Sequence, residues 1–213
     1  MSFDRIAPHY RWLERLFAGD RLQRARTACF PAEAPRRILS LGEGHGRTLT
    51  ALRTAYPVAA ITCVDASAGM LARARAQTDE GNVEFIHADA LTWPVPAGEF
   101  DLLVTHYFLD CFPPEQLAVL IPRLATAAAP GARWLIADFC EPPRGLARWR
   151  ARIILKILYV AFRIATRLPA QRLTPPDPYL IASGFRLSER RHFEWGMLHS
   201  DRWGREPEAS REI

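Results

Sequence analysis

The sequence predicts a doubly wound α/β fold in which a mostly parallel sheet carries helices on both faces. Short apolar runs alternate with helical patterns between residues 38 and 139, and the end of the chain has the pattern of two strands joined by a tight turn. Alternating strands and helices give parallel pairing with crossover helices, whereas a tight turn gives an antiparallel pair. The 213 residues, 49% of them hydrophobic, are enough for one domain over the whole chain.

The order of the elements follows from the pattern along the chain. The predicted parallel strands are Ile38–Leu41, Ala60–Val64, Val83–His87, Phe100–Thr105 and Ala132–Phe139. Helices are predicted between them at 49–56, at 67–77 with Ser67 as the cap, and at 115–128. The Pro130-Gly131 pair is interpreted as the turn before the fifth strand.

Both ends of the chain depart from this alternation. Residues 1–35 are predicted to form an N-terminal helical lid, in which Asp20 caps the second of two helices. An extended run over 184–195 and a second over 197–203, joined at Gly196, predict an antiparallel hairpin at the edge of the sheet.

The segment 142–176 makes the chain basic. It contains eight cations and no acid, whereas acids outnumber cations in the rest of the sequence. The cations are Arg144, Arg148, Arg150, Arg152, Lys156, Arg163, Arg167 and Arg172. Most of them share one side of a predicted amphipathic helix over 144–168, and the apolar residues predicted on the other side are Leu146, Ile153, Ile157, Ala161, Ile164 and Leu168. Three interpretations stay open: the apolar side packs on the sheet, it walls a substrate pocket with Trp149 and Tyr159, or the helix lies on an anionic membrane.

Several classes of protein are disfavoured by composition and motifs. The N-terminus lacks the basic and apolar regions of a secretory signal, so a cytoplasmic protein is expected. Cys29, Cys63, Cys111 and Cys140 lack the spacing of a metal site, so reduced thiols and no bound metal are expected. The basic helix carries too much charge to span a bilayer.

The first predicted strand ends in a glycine-rich turn. Its glycines alternate with other residues, at Gly42, Gly44 and Gly46. Such a turn needs positive φ angles or close approach of a ligand to the backbone, and a Cβ obstructs one or the other. A turn of this kind between a buried strand and a helix is typical of nucleotide-type cofactor sites, but it also occurs as a plain connection.

Acids follow the next two predicted strands. Asp65 ends the second strand nineteen residues after Gly46, where a doubly wound fold has an acid that binds a ribose diol. Asp89 follows the third strand, and its carboxylate can accept the exocyclic amine of an adenine. The alternatives are that Asp65 caps the next helix and that Asp89 is a solvated loop acid.

The glycine turn, the two acids and the fourth strand, in this order, resemble the class I S-adenosylmethionine-dependent methyltransferases over about residues 36–140 and 184–203. The resemblance implies a Rossmann-like, seven-stranded sheet with a reversed last strand, and S-adenosylmethionine as the cofactor. The cofactor-binding residues that it implies are Tyr10, Gly42, Glu43, Gly44, Gly46, Asp65, Ala66, Met70, Asp89, Ala90 and His106. Among them the glycines are expected at the methionine end, Asp65 at the ribose and Asp89 at the adenine.

One position departs from the family pattern. The family has an acid two residues before the first glycine, where this chain has Ser40, and Glu43 inside the turn is a candidate replacement. The segment Phe3–Tyr10 is similar to the lead-in of quinone-type and related small-molecule methyltransferases, which folds over the cofactor. The Asn/Asp-Pro-Pro-aromatic tetrad of amino-directed nucleic-acid methyltransferases is absent after the fourth strand. A small organic acceptor and no nucleic-acid partner are therefore expected.

The segment after the fourth strand supplies the catalytic candidates. His106 and Asp110 follow this strand at its carboxyl end, where ligands of this fold bind. An imidazole or a carboxylate there can take a proton from a phenol, an enol or an acidic carbon. Tyr107 and Phe108 are candidate substrate contacts. The alternatives are a hydrogen-bonded loop histidine and an acid that caps the helix near Glu115.

The sequence thus predicts a cytoplasmic enzyme that transfers a methyl group from S-adenosylmethionine to a small organic acceptor. Three alternatives use the same fold: a different enzyme such as an aminopropyl transferase or a dehydratase-like relative, a protein that binds the cofactor without methylating, and a peripheral membrane enzyme that modifies lipids. The sequence assigns neither the acceptor nor the oligomeric state.

Overall fold

The computed structural model describes residues 20–78, 81–166, 170 and 172–205. Within this part of the chain, seven strands form one sheet in the order β3-β2-β1-β4-β5-β7-β6. The strands are β1 Arg37–Leu41, β2 Ala60–Asp65, β3 Val83–His87, β4 Phe100–Val104, β5 Ala128–Phe139, β6 Phe185–Phe193 and β7 Leu198–Arg205. Strands β1 to β5 are parallel, whereas β7 runs antiparallel to both β5 and β6. The predicted doubly wound sheet with a hairpin at its edge is confirmed.

As predicted, helices lie between β1 and β2, between β2 and β3, and between β4 and β5. The described helices are α1 Asp20–Thr27, α2 Arg47–Ala55, α3 Ala68–Ala76, α4 Pro114–Ala125, α5 Gly145–Thr166 and α6 Asp177–Ala182. Ser67 caps α3 as predicted, because its hydroxyl oxygen accepts the N–H of Met70 at 3.2 Å. Residues 1–19 of the predicted lid, with the lead-in segment and Tyr10, lie outside the described residues.

Successive side chains of the central strands pack into two separate cores. Leu39 and Leu103 pack on one face of the sheet with the apolar side of α4, whereas Ile38 and Leu102 pack on the other face with α2. This is the pattern of a parallel sheet that is covered on both faces. The loops at the carboxyl ends of the strands are then the natural place for a ligand.

The fifth strand begins earlier than predicted. It starts at Ala128, so Pro130 and Gly131 lie inside it, and the predicted turn at this pair is wrong. The pairing of β5 with β4 shifts register between Phe100 and Leu102, which marks a bulge in β5. Proline cannot donate to a ladder and Gly131 has a φ of 73°, so the two residues fit a bulge better than a regular strand.

The predicted basic helix exists as α5, but a different side of it is buried. The buried residues are Ala151, Leu155 and Tyr159. Three residues predicted to lie on the packed side are exposed, namely Leu146, Ile153 and Ile157. The helix is apolar on two sides, and the Tyr159 hydroxyl, which donates to the Asp110 carbonyl oxygen at 3.1 Å, belongs to the side that packs inward. No helix in the described part of the chain combines the length and the apolar character needed to cross a membrane.

Candidate active site

The turn after β1 has a left-handed backbone conformation at each of its three glycines. Gly42, Gly44 and Gly46 have φ angles of 68°, 61° and 86°, a region that other residues seldom adopt. A Cβ at Gly42 would overlap the ring of Phe108, so this glycine permits close packing. A Cβ at Gly44 would meet no atom of the described residues within 4 Å. The open space beside Gly44 therefore fits a ligand that lies against the backbone of the turn.

Glu43 supports this turn from the inside. Its carboxylate accepts the Ser40 hydroxyl at 2.8 Å and the Leu49 N–H at 2.7 Å. Leu49 is in the first turn of α2, where N–H groups have no partner within the helix. Burial raises the pKa of Glu43 to about 7. Glu43 thus lies beside Ser40, where the family pattern has an acid, and its contact with a cofactor stays a prediction.

Asp65 touches the glycine turn directly. The N–H of Gly44 donates to Asp65 Oδ2 at 3.2 Å, and the N–H of Ser67 donates to Oδ1 at 2.8 Å. Ser67 is itself the cap of α3, so Asp65 holds the capping residue rather than capping the helix. The two features that the sequence singles out, the turn and the acid after β2, are therefore in contact.

Asp89 lies at the same edge of the sheet as Asp65. Strands β2 and β3 pair in parallel with Asp65 opposite His87, so Asp89 follows two residues beyond this pair. The N–H of Leu91 donates to Asp89 Oδ1 at 2.9 Å. The remaining predicted cofactor residues of this region, close to these strand ends, are Ala66, Met70 and Ala90. An adenosine site between the two acids requires this shared edge, and its individual contacts stay predictions.

His106 is buried two residues after the end of β4. Its Nδ1 is buried and has no hydrogen-bond partner among the described residues. Burial, and then the positive charge of Arg26, lowers the pKa of His106 to about 3. The imidazole is therefore neutral at physiological pH, and Nδ1 is available to bind a ligand.

Asp110 forms a carboxyl pair with Asp138, which lies near the end of β5. The Asp110 N–H donates to Asp138 Oδ2 at 3.2 Å, and the two side chains are hydrogen-bonded to each other. Burial raises the pKa of both carboxyls, and the neighbouring negative charge of Asp110 raises that of Asp138 further. Two such groups share a proton, because both cannot ionise freely side by side. Helix α4 has no side-chain cap, so the interpretation of Asp110 as its cap is wrong.

Asp138 is absent from the sequence candidates. An acid at the end of a predicted parallel strand is nevertheless the same signal that singles out Asp65. Arg26 is a second residue that the sequence does not reveal. It lies on α1, and its guanidinium stacks 4.8 Å from the centre of the Tyr107 ring.

The aromatic candidates after β4 differ in their surroundings. Tyr107 has a φ of 52°, which is strained for a residue with a side chain, and its hydroxyl donates to the Leu22 carbonyl oxygen at 3.2 Å. Its ring also lies 5.8 Å from that of Phe139. Phe108 packs on Gly42 and, edge to face, on Phe112 at 5.0 Å. Tyr107 thus links α1 to the segment after β4 through a hydrogen bond, whereas Phe108 contacts the glycine turn.

The two aromatic candidates on α5 are separated by the structure. Tyr159 is buried and donates to the Asp110 carbonyl oxygen. Trp149 is 67% exposed on the opposite side of the helix, so it is not brought to the group around Asp110. Burial raises the pKa of Tyr159 well above its usual range, so its hydroxyl keeps its proton.

A family model described as a methyltransferase domain matches residues 38–131. A demethylmenaquinone methyltransferase of Thermus thermophilus is 32% identical over 188 residues, which cover 86% of this chain and 78% of that protein. The chain belongs to the class I S-adenosylmethionine-dependent methyltransferases. A trans-aconitate 2-methyltransferase of Methylobacterium nodulans is 39% identical, over 79% of this chain and 65% of the relative. A solved methyltransferase of calicheamicin biosynthesis, in its SAH-bound form, has the same fold, with a TM-score of 0.69 at 21% identity over 93% of this chain and 57% of that chain.

The methyltransferase therefore transfers a methyl group from S-adenosylmethionine to a small organic acceptor, as its sequence predicts. The comparisons do not favour the alternatives of a non-methylating binding protein or a lipid methyltransferase. The open space at Gly44 and the shared edge of the two acids fit the cofactor.

Replacing Asp65 by Ala is expected to weaken binding of S-adenosylmethionine by at least about tenfold, because a charge-assisted hydrogen bond contributes about 1.5–3 kcal/mol. Isothermal titration calorimetry measures this change. Glu84→Ala is the matched control, since Glu84 is an exposed acid on the neighbouring strand β3. A dissociation constant that is the same in Asp65→Ala and in the wild type would contradict the prediction that Asp65 binds the cofactor.

Replacing Glu43 by Gln is expected to change how stability depends on pH. The pKa of Glu43 is about 7 in the folded protein against an ordinary 4.5, so the folded state holds the proton more tightly and the free energy of unfolding falls as pH rises through this window. Glutamine cannot ionise. The free energy of unfolding of the variant should therefore fall by up to about 3 kcal/mol less than that of the wild type between about pH 4 and about pH 8.

Urea denaturation at both pH values measures this difference. Glu84→Gln, the exposed control, should follow the wild type at both. If the free energy of unfolding falls equally in Glu43→Gln and in the wild type between the two pH values, the raised pKa of Glu43 is contradicted.

Proposed function

We propose that the methyltransferase acts on a weakly acidic aromatic acceptor of the hydroquinone type, and that Asp110 accepts the proton of this acceptor. The observation that carries the proposal is the carboxyl pair of Asp110 and Asp138 at the carboxyl ends of β4 and β5. A carboxylate whose pKa is raised is a stronger base toward a weak acid than an ordinary one. The relative from Thermus thermophilus, whose name gives demethylmenaquinone as its substrate, supports an acceptor derived from a quinone.

We also propose how the chain holds the cofactor. The turn from Gly42 to Gly46 binds the methionine end, where backbone N–H groups at the start of α2 suit a carboxylate. Asp65 binds the ribose, and Asp89 binds the adenine beside Met70 and Ala90. The open space at Gly44 and the contact between Gly44 and Asp65 support this arrangement. When bound, S-adenosylmethionine supplies a methyl group on a positively charged sulfur.

The surroundings of the carboxyl pair favour a flat, uncharged acceptor. Phe108 packs on the glycine turn only two residues before Asp110, so an aromatic wall adjoins both the proposed methionine end and the proposed base. Asp110 is partly exposed, whereas Asp138 is fully buried, so an acceptor reaches the pair through Asp110. A tricarboxylate such as trans-aconitate would be repelled by the negative charge of the pair.

The residues divide the work of the transfer step between them. With S-adenosylmethionine held by the glycine turn, Asp65 and Asp89, its methyl group would be supplied to the acceptor oxygen or carbon, and the electron pair of the carbon–sulfur bond would stay with sulfur. The acceptor proton moves to the ionised Asp110 carboxylate, while Asp138 keeps the proton that the pair already holds. Neutral His106, with its unpartnered Nδ1, orients the ligand by a hydrogen bond without adding charge. Tyr159 stays protonated and holds the Asp110 main chain.

Assays of the purified protein with S-adenosylmethionine test the acceptor class. Release of S-adenosylhomocysteine is measured with a water-soluble hydroquinone, with demethylmenaquinol and with trans-aconitate. We expect kcat/KM for a hydroquinone to exceed that for trans-aconitate by at least about 100-fold, because a site built for one polar pattern rejects another strongly. Turnover of trans-aconitate with none of a hydroquinone would overturn the proposed acceptor.

Replacing Asp110 by Asn is expected to lower kcat by about 100- to 10,000-fold, the range typical for a lost general base. Affinity for S-adenosylmethionine should stay within about twofold, because Asp110 is proposed to contact the acceptor alone. Glu115→Gln is the matched control, since Glu115 is an exposed acid at the start of α4.

The pH profile adds a readout that a structural defect does not move. In the wild type kcat/KM should rise with pH as Asp110 ionises, and burial places this rise near pH 6 by raising the pKa of Asp110 to about 6. Asp138→Leu should move this rise to higher pH, because the hydrogen bond with Asp138, which lowers the pKa of Asp110, is lost. A full rate in Asp110→Asn would contradict its role as the base.

A further inference from the structure

The outer face of α5 carries an apolar stripe. It consists of Leu146, Trp149, Ile153, Ile157 and Val160, all exposed. The stripe is continuous, because its residues are three or four positions apart and fall within an arc of about 80° on the helix. Leu146 is 87% exposed and Trp149 is 67% exposed. Contiguous exposed apolar surface of this kind is uncommon on soluble proteins and marks a site of interaction.

The core does not account for this stripe. The inward side of α5 is formed by Ala151, Leu155 and Tyr159, which lie opposite to the stripe. Leu155 and Tyr159 pack near Cys111 and Phe139. Helix α5 therefore has one apolar side for the fold and a second apolar side without a partner among the described residues.

Positive charge borders the stripe on both sides. Lys156 lies next to it on one side and Arg150 on the other, and the whole segment 142–176 contains no acid. Glu141, which precedes the segment, contacts Arg152 at 3.0 Å and Arg148 at 3.6 Å, and Glu194 beside Trp195 is paired with Arg21 at 2.6 Å. Glu141 can neutralise only one of the two arginines that it contacts, so this part of the surface stays positively charged.

Trp195 extends the same surface from a different element. It lies in the turn between β6 and β7, is 79% exposed and has a φ of 60°. The guanidinium of Arg150 lies 5.9 Å from the centre of its ring. Tryptophan side chains combine a large apolar body with a polar N–H, and they are enriched where protein meets the lipid headgroups.

We propose that the apolar stripe and Trp195 dock the methyltransferase on the surface of an anionic lipid bilayer. A helix with an apolar face bordered by Lys and Arg lies in the interface plane, where the apolar side chains enter the headgroup boundary and the cations meet anionic lipids. The charge favours a bilayer as the occupant of the stripe. Arg150 and Lys156, which border the stripe, complement an anionic bilayer, whereas the same cationic border on a second copy would repel them.

Docking in this way would bring the acceptor site to the membrane. The inward side of α5 covers Asp110 through Tyr159, while its outward side faces the lipid. This consequence rests on the proposed function, since an apolar hydroquinone dissolves in the bilayer and would reach Asp110 from there. The docking itself rests only on the exposed surface.

Co-sedimentation of the full chain with vesicles tests the proposal. The vesicles contain phosphatidylcholine alone or phosphatidylcholine mixed with phosphatidylglycerol. We expect the protein to pellet with the anionic vesicles and not with the neutral ones, and to be released at high salt, which screens exposed charges. Neutralising Arg150 and Lys156 together by Gln should weaken binding by about 10- to 30-fold, since each cation near an anionic surface contributes about a further factor of 5.

Matched variants separate the stripe from overall charge and apolar content. Arg24→Gln with Arg36→Gln removes two exposed cations elsewhere, and should weaken binding by less than about threefold. Trp149→Ser with Ile157→Ser should weaken binding at least tenfold, an order-of-magnitude loss expected from the apolar area. Val119→Ser with Ile181→Ser, which removes two exposed apolar side chains from other helices, should leave it unchanged.

Three outcomes would overturn the docking proposal. They are no binding to anionic vesicles, equal weakening by the two pairs of charge variants, and an oligomer that the stripe variant converts to a monomer. Activity toward a water-soluble hydroquinone without vesicles reports on the proposed function alone. If that activity is present while vesicle binding is absent, only the docking fails, and the reverse result removes only the proposed acceptor.

Discussion

The parallel register of the central strands is the constraint on which the site depends. Strand β1 pairs with β2 and β4, and β2 pairs with β3, all in one direction. The glycine turn, Asp65, Asp89 and His106 therefore reach one edge from four different strands. A slip of one residue in any strand would exchange the side chains of its two faces. The two cores oppose such a slip, because Ile38 is buried in one core and Leu39 in the other.

The sequence predicts this edge well because each part has a local cause. Buried parallel strands need continuous apolar runs, and the turns that follow them need glycine or polar residues, so strand ends are marked in the chain. Ser67 is readable as a cap for the same reason. Elements without a unique local cause are predicted less well. Pro130 and Gly131 suit both a turn and a bulge, and only the neighbouring strand β4 decides that β5 continues through them.

Contacts between distant residues explain the rest of what the sequence leaves open. Helix α5 is apolar on two sides, and periodicity alone cannot tell which side meets the sheet. The hydrogen bond from Tyr159 to Asp110 joins residues 49 positions apart, so no local pattern announces it. The same holds for the pair of Asp110 and Asp138. Each acid is visible in the sequence, but their shared proton depends on two neighbouring strands ending side by side and on their burial.

The two main-chain N–H groups that hold Asp65 give the site a preset shape before any ligand arrives. Fixing a mobile side chain on association costs about 0.5–1.5 kcal/mol, and a carboxylate already held in place has little of this freedom left to lose. The adenosine half of the spent cofactor is identical to that of the fresh one, so this rigid frame gains equally from both. With the ribose at Asp65, as proposed, discrimination between the two falls to the sulfur end, and we expect the by-product to inhibit the enzyme wherever it accumulates.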